Sequence, residues 1–362
     1  MENQSILIAC RDREPLKNII KAIALNHKVT LHQDGAAALE SILLDMPRIA
    51  LIDIDLPGMN ATELARRVHR SMSHSLPTLV LFGRKGDVRL SAMITHGFAQ
   101  GFIELPSSDG AFLERFWNIV DSRLRASWAG LNEVQRALLE AGSECVDMMA
   151  RTAAADEPVD ADLVNTFCSS VVAAGRSDNL LGLLGTLRAH LDVAFTHCLK
   201  VSATMTVFGL GLGLRETDLV DLAQSGLLHD IGKITISPDL LLKPTPLADQ
   251  ERRIFEAHPR ASVDVLRRSE DFDETVIRIA ENHHERLDGS GYPRALKGGQ
   301  IDDPSLLAAI ADRFATLTEG GPMQRRMTAE EAVAAMKQEA KGGLEPHFFM
   351  KFAEMVGDGL IL

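Results

Sequence analysis

Between His229 and Pro293 the chain sets out His229-Asp230-Ile231-Gly232-Lys233, then a lone His258. His283-His284-Glu285 and Asp288-Gly289-Ser290-Gly291-Tyr292-Pro293 follow. Taken singly, each histidine is more often a structural residue than a ligand. As a set, four histidines and an aspartate framed by glycine turns read as a metal-ligand list. This list constrains the fold more than any other feature, because its members act together only if distant helix ends meet at one point. His229-Asp230 close the apolar helix expected over Leu219 to Leu228, and His283-His284 close a second one over Thr275 to Asn282. An adjacent His-Asp pair at a helix end lets both side chains reach one ion while the carboxylate bridges to another. Mixed nitrogen and carboxylate donors suit two hard-to-borderline divalent ions of the kind that activate water against a phosphate ester.

Composition sets the frame for that centre. A chain of 362 residues is too long for one ordinary core, so two domains are expected. The net charge of −12 argues against nucleic acid or an anionic membrane as the main partner, so neither DNA nor membrane binding is expected. A small anionic substrate remains compatible, because bound divalent ions would dominate the local field. Cys10, Cys145, Cys168 and Cys198 are scattered and read as reduced thiols. Met1 to Ser5 lacks the basic and apolar blocks of a signal peptide. The greasy stretch Val201 to Leu214 is broken by Ser, Thr and glycines and reads as a buried helix. A cytoplasmic protein is expected.

Residues 1–125 alternate short apolar runs with amphipathic stretches. Ile6 to Ala9, Ile49 to Ile52 and Thr78 to Phe82 look like buried parallel strands, with a weaker one at Gly101 to Leu105 before Pro106. The intervening segments are long enough for crossover helices, which predicts an α/β doubly wound, flavodoxin-like domain. From 126 to 195 the pattern becomes helical, with Leu131, Val134, Leu138 and Leu139 at three- and four-residue spacing and a loop over Ala153 to Asp162. This stretch reads as a helical connector whose apolar stripe is core or a homodimer face. Residues 196–362 read as an all-α helical bundle.

The N-terminal part resembles the receiver domain of bacterial response regulators. The match is Ile52-Asp53-Ile54-Asp55-Leu56-Pro57-Gly58-Met59, with Asp53 at the strand end that this family uses as phosphoacceptor. The rest of that site departs from the pattern. Cys10 and Arg11 stand where the acidic Mg²⁺-binding pair is placed, Phe82 takes the hydroxyl position, and Leu105 replaces the lysine before Pro106. Without a metal site a carboxylate is a poor phosphoryl acceptor. The resemblance therefore implies a degenerate receiver, with Asp53 unused and the domain serving dimerisation or docking of a protein partner.

The C-terminal part resembles the HD-GYP branch of the HD metal-dependent phosphohydrolases. Its motifs run His229 to Lys233, Lys243-Pro244, His258-Pro259, His283 to Glu285 and Gly291 to Pro293. Carried over residue by residue, His197 in Thr196-His197-Cys198 matches the first histidine. Asp312 in Ile310-Ala311-Asp312-Arg313-Phe314 matches the late aspartate. The resemblance implies one ion among His197, His229, Asp230 and Asp312, and a second held by Asp230, His258, His283 and His284. Asp230 is then catalytic as the bridging ligand, a water between the ions is the nucleophile, and Lys233 contacts the phosphate and its transition-state charge. Some members add a third metal on a glutamate one turn before the first histidine. Here that place is Val193, and Asp192 points off the shared helix face, so two ions are expected. Iron or manganese is implied by the resemblance, while nitrogen-rich ligation alone equally permits nickel or zinc.

The family hydrolyses cyclic di-GMP to linear pGpG and sometimes on to GMP, with Gly291 and Tyr292 in the loop bordering the pocket. Downstream the match frays. Where members carry Asp-Ala-Leu-Thr and then Arg-Pro-Tyr-Arg, this chain has Ala315-Thr316-Leu317-Thr318 and Gly321-Pro322-Met323-Gln324, so both cationic positions are lost. Arg325 and Arg326 follow and are either substitutes or solvated arginines. A lost charge-assisted contact costs about 1.5–3 kcal/mol, so weakened cyclic dinucleotide binding is expected. The expected activity is a two-metal cyclic di-GMP phosphodiesterase. The alternatives are a metal-containing nucleotide sensor or scaffold with little turnover, or a phosphodiesterase preferring pGpG or another cyclic dinucleotide.

Overall fold

The computed structural model describes residues 5–24, 27–72, 76–155, 157–176, 180, 193–241, 243, 245–269, 271–320 and 325–361. Contacts divide the chain into two compact units, Met1–Leu131 and Asn132–Leu362.

In the first unit, strands β1 (Ser5–Ala9), β2 (Lys28–His32), β3 (Ile49–Asp53), β4 (Thr78–Arg84) and β5 (Gly101–Leu105) alternate with helices. These are α1 (Lys17–Ala24), α2 (Gly35–Asp45), α3 (Ala61–Ser71), α4 (Val88–Thr95) and α5 (Asp109–Ser127). All neighbouring strands are parallel, in the order β2-β1-β3-β4-β5. This is the flavodoxin-like doubly wound order that receivers share. Strands β1 and β3 are buried along their whole length, which is why they read as continuous apolar runs rather than alternating ones. Leu7, Ala50 and Leu79 face Ala38, Leu64 and Leu90 on one side of the sheet. Ile8, Leu51 and Val80 face Ile19, Phe112 and Phe116 on the other. The order reverses between β1 and β3, so the carboxyl ends of those strands border the crevice where such sheets place their sites. Asp53 stands there.

Strand β2 has no counterpart among the strands expected from the sequence. It lies at the sheet edge, and its five residues are exposed or half-buried, so Lys28-Val29-Thr30-Leu31-His32 carries no clear apolar run.

The second unit is helical: α6 (Glu133–Ala155), α7 (Ala161–Gly175), α8 (Val193–Gly211), α9 (Glu216–Leu228), α10 (Pro238–Leu241) and α11 (Asp249–Phe255). The chain continues through α12 (His258–Arg267), α13 (Glu274–Asn282), α14 (Asp303–Glu319), α15 (Ala329–Glu339) and α16 (Pro346–Gly357). Among the described residues its extended pairing is limited to an isolated bridge, Asp288 with Lys297. The loop expected over Ala153 to Asp162 is narrower, since α6 runs to Ala155 and α7 starts at Ala161 behind the Asp160 cap. Of the stripe expected in α6, Leu138 and Leu139 are fully buried whereas Val134 is 55% exposed. Helices α6 and α7 group with the C-terminal helices, α7 lying against α8 and α9.

The core of this unit places the site. Phe352 of α16 meets Phe208 of α8 and Phe314 of α14 edge-on, with ring centroids 5.1 Å apart in both pairs. Helix α9 presses on α8 at Gly226, where a Cβ would come within 2.6 Å of the Ser202 backbone. Only a residue without a side chain allows that approach, and it brings the end of α9 against the middle of α8. No helix among the described residues is long and apolar enough to cross a membrane.

Candidate metal centre

Five helices and one 3₁₀ turn deliver the side chains. His197 comes from α8 and Asp312 from the buried middle of α14. His229 caps the C-terminus of α9, and Asp230 begins the 3₁₀ turn Ile231–Thr235 that carries Lys233. His258 opens α12, His283 caps α13, and His284 follows it. Gly232 lets α12 close on that turn, since a Cβ would meet the His258 carbonyl at 2.3 Å and the Ser262 nitrogen at 2.4 Å. Ser262 then ties the two together: its hydroxyl donates to the His229 carbonyl and accepts from the Gly232 N–H, both at 2.9 Å.

All seven residues expected as ligands converge. Asp230 is common to two sets whose donor atoms lie within 4.8 Å of one another, one with His258, His283 and His284 and the other with His197 and His229. Its Oδ1 is 3.1 Å from His258 Nε2 and 3.6 Å from His283 Nε2, and its Oδ2 is 3.3 Å from His229 Nε2 and 3.6 Å from His197 Nε2. Asp312 Oδ1 lies 3.0 Å from His197 Nε2 and 3.8 Å from His229 Nε2, while its Oδ2 is 3.6 Å from His284 Nδ1.

The tautomers follow from the outer partners. His229 Nδ1 faces the Gly226 carbonyl at 2.9 Å, His258 Nδ1 the Phe255 carbonyl at 2.6 Å, and His283 Nδ1 the Ala280 carbonyl at 3.0 Å. A carbonyl only accepts, so each Nδ1 carries the proton and each Nε2 turns a lone pair inward. This is the arrangement by which outer carbonyls orient metal-ligating imidazoles. Lone pairs facing carboxylate oxygens repel unless a cation lies between them. Consistently, His229 Nε2, Asp230 Oδ1 and His284 Nε2 are buried without a hydrogen-bond partner. Orphaned buried acceptors of this kind fit a divalent ion.

The electrostatics agree. Burial holds the His283 imidazole neutral, pushing its pKa down to about 4, and burial with the neighbouring His283 keeps His284 well below its usual range. Both are thus ready to ligate at neutral pH. Burial opposes charge on Asp230 and Asp312, yet Lys233 holds the first well below the usual carboxylate range and His197 the second. Lys233 forms a short ion pair with Asp230, and despite burial Asp230 and Asp312 keep its ammonium above the ordinary lysine value. His197 is similarly raised to about 10 against its burial, by hydrogen bonds to Asp312 and Glu319, so an ion bound there would displace the proton from its Nε2.

The Gly-Tyr-Pro loop borders the cluster. Tyr292 lies over His284 with centroids 4.6 Å apart and meets His258 edge-on at 6.2 Å. At Gly291 a Cβ would come within 2.5 Å of Glu285 Cα, so the turn requires glycine. Glu285, buried, accepts from the Arg294 and Leu296 backbone at 2.6 and 2.9 Å and anchors the loop rather than reaching the centre. Arg325 pairs with Glu331 at 2.8 Å and Arg326 donates to the Thr318 carbonyl at 3.0 Å, so both serve the start of α15 and its approach. Gly321 to Gln324, Pro244, Asp192 and the Val193 side chain lie outside the described residues. Sequence reasoning missed Glu319, whose Oε2 is 2.9 Å from His197 Nδ1.

In the first unit Asp53 is buried and accepts from the Asp55 N–H at 2.9 Å and the Arg11 N–H at 3.4 Å. Arg11 Nε lies 3.7 Å from the same carboxylate, and Arg89 pairs with Asp55.

Residues 175–346 match a family model described as an HD domain. The chain is 28% identical over 323 residues to the cyclic di-GMP phosphodiesterase response regulator RpfG of Xanthomonas campestris, covering 89% of this chain and 79% of that protein. It is 39% identical over 156 residues to 3'3'-cGAMP-specific phosphodiesterase 1 of Vibrio cholerae, covering 43% of this chain and 36% of the relative. In fold it is similar to the solved structure of Bd1817, a HDG"Y"P protein from Bdellovibrio bacteriovorus. The TM-score is 0.51 at 14% identity, over 70% of this chain and 88% of that one.

Proposed function

We propose that this chain, an HD-domain protein of the HD-GYP branch with a receiver-like N-terminal unit, is a two-metal cyclic di-GMP phosphodiesterase that yields pGpG and, in a second cut, GMP. The observation that carries the reading is Asp230, one carboxylate set between two groups of inward-facing imidazoles. His197, His229, Asp230 and Asp312 would hold one ion, and Asp230, His258, His283 and His284 the other. Iron or manganese is the metal we favour. Such a pair supplies Lewis acidity toward a phosphoryl oxygen and a water acidic enough to attack at neutral pH.

The protein's own groups do the rest. Lys233, cationic beside Asp230, is placed to meet the charge that grows on the phosphoryl oxygens. Tyr292 and the glycine turn behind it give the substrate an apolar wall over His284. The N-terminal unit then serves docking or pairing of protomers, with Asp53 engaged by Arg11 rather than phosphorylated.

The test is turnover of cyclic di-GMP and pGpG by manganese- or iron-loaded protein beside an Asp230→Ala control. Hydrolysis that disappears in the control supports the reading, and its absence in the loaded wild type overturns it. Binding without turnover would support a sensor, a second reading favoured by Arg325 and Arg326 being engaged by Glu331 and the Thr318 carbonyl. Faster turnover of pGpG or of 3'3'-cGAMP would reassign the substrate.

A further inference from the structure

The four histidines whose outer nitrogen has a described partner are not equivalent. Three of them, His229, His258 and His283, donate Nδ1–H to neutral backbone carbonyls. His197 alone faces a carboxylate, Glu319 Oε2 at 2.9 Å. Glu319 is the last residue of α14, and Gly320, with φ of 72°, turns the chain away immediately after it. The left-handed glycine ends the helix at the point where Glu319 reaches back to α8.

We propose that Glu319 is a positioning residue that makes His197 the strongest nitrogen donor of the centre, an inference that rests on the two-metal reading above. A carboxylate only accepts, so it fixes the proton on Nδ1 and leaves Nε2 facing Asp312 Oδ1 and Asp230 Oδ2, at 3.0 and 3.6 Å. A charged outer partner also raises the basicity of the ligating nitrogen more than a carbonyl does. The need is local: the tight set around His197 and His229 holds two imidazoles, against three in the set around His258. A second observation points the same way. The Glu319 side chain is only 10% exposed, and its Oε1 is buried with no hydrogen-bond partner. Burying a half-satisfied anion across the His197 ring from Asp230 and Asp312 is unfavourable unless the centre itself carries positive charge. Two divalent ions provide that charge.

The test is titration of the full chain with Mn²⁺, following free Mn²⁺ by electron paramagnetic resonance, for the wild type, Glu319→Ala and Glu319→Gln. The wild type takes two ions. In Glu319→Ala one site weakens by about 10–100-fold, the usual loss for an outer-shell partner, and the other keeps its affinity. Glu319→Gln, which retains an acceptor without the charge, falls between the two. Melting of the metal-free proteins separates a purely structural role, which would lower the melting temperature and weaken both sites together. Two unchanged sites in Glu319→Ala, or parallel loss of both, overturn the inference while leaving the two-metal reading intact. No Mn²⁺ uptake by the wild type overturns both. If Glu319→Ala does not fold, Glu319→Gln decides: one selectively weakened site supports the role, and an unchanged isotherm removes it.

Discussion

Asp53 and Asp230 are both buried and both end an apolar element, yet their surroundings have opposite character. Asp53 is met by two backbone N–H groups and by the Arg11 guanidinium, while Arg89 occupies its neighbour Asp55. The protein's own donors and cations supply its positive surroundings. Asp230 has Lys233 on one oxygen, but its Oδ1 looks toward His258 and His283 lone pairs and makes no hydrogen bond. A carboxylate served by built-in positive groups has little call for an ion, whereas one ringed by acceptors demands it. Similar motif positions, an acid at the end of a buried element, have thus been set to different uses.

The comparison breaks first at Asp230. Asp230→Ala removes the one group shared by both ligand sets, so metal content should fall below two ions per chain. Turnover should drop by more than the roughly hundredfold that an outer-shell loss costs. A variant that keeps two ions and full activity would remove the contrast with Asp53. Lys233→Met is the next largest. On the proposed function it deletes a positive charge that would meet the substrate phosphate but no ligand, so kcat should fall by about 10²–10³-fold with metal content unchanged. Loss of metal instead would show that Lys233 acts only through Asp230.

Much of this centre was legible in one dimension because most of its candidate ligands lie at helix ends with fixed local spacing, while His197 and Asp312 sit within α8 and α14. His229-Asp230, His283-His284 and the Gly291-Tyr292 turn announce themselves whatever the fold. The parallel strands were legible for a related reason: full burial on both faces leaves Ile49 to Ile52 uniformly apolar. What escaped was set by packing across long separations. Glu319 meets His197 over 122 residues of sequence, and Arg11 meets Asp53 over 42. No periodicity encodes either encounter. Strand β2 escaped because an exposed edge needs no apolar run. The helices after residue 126 are legible as helices, but which neighbours they join depends on matching surfaces, such as α7 against α9.

A smaller effect sharpens the comparison from the side of the scaffold. Gly226→Ala would drive a Cβ into the Ser202 backbone, a clash that neither helix relieves by a rotamer change. Overpacking of this kind costs about 1–3 kcal/mol. A domain of this size should then melt a few degrees lower for each kcal/mol, by about 2–4 °C. Because the carbonyl of residue 226 also orients His229, the variant should weaken Mn²⁺ binding as well. A normal melting temperature and normal metal uptake would mean that the crossing of α8 and α9 does not hold the site together.

The smallest effect belongs to the N-terminal unit. Arg11 is about half exposed, its Nε contact with Asp53 is long at 3.7 Å, and its second contact, with Asp55, is 3.6 Å. Exposed pairs of this geometry contribute about 0–1 kcal/mol. Arg11→Ala should therefore shift stability by no more than about 1 kcal/mol in a denaturant titration. The backbone N–H groups of Asp55 and of residue 11 itself remain to satisfy the carboxylate. Neither wild type nor variant should gain melting temperature on addition of Mg²⁺, because no acidic partner stands at position 10 or 11 to complete a site. A Mg²⁺-dependent rise in Arg11→Ala, absent from the wild type, would show the guanidinium to be a displaced stand-in for the ion. Asp53 and Asp230 would then differ by a single side chain rather than by the design of their pockets.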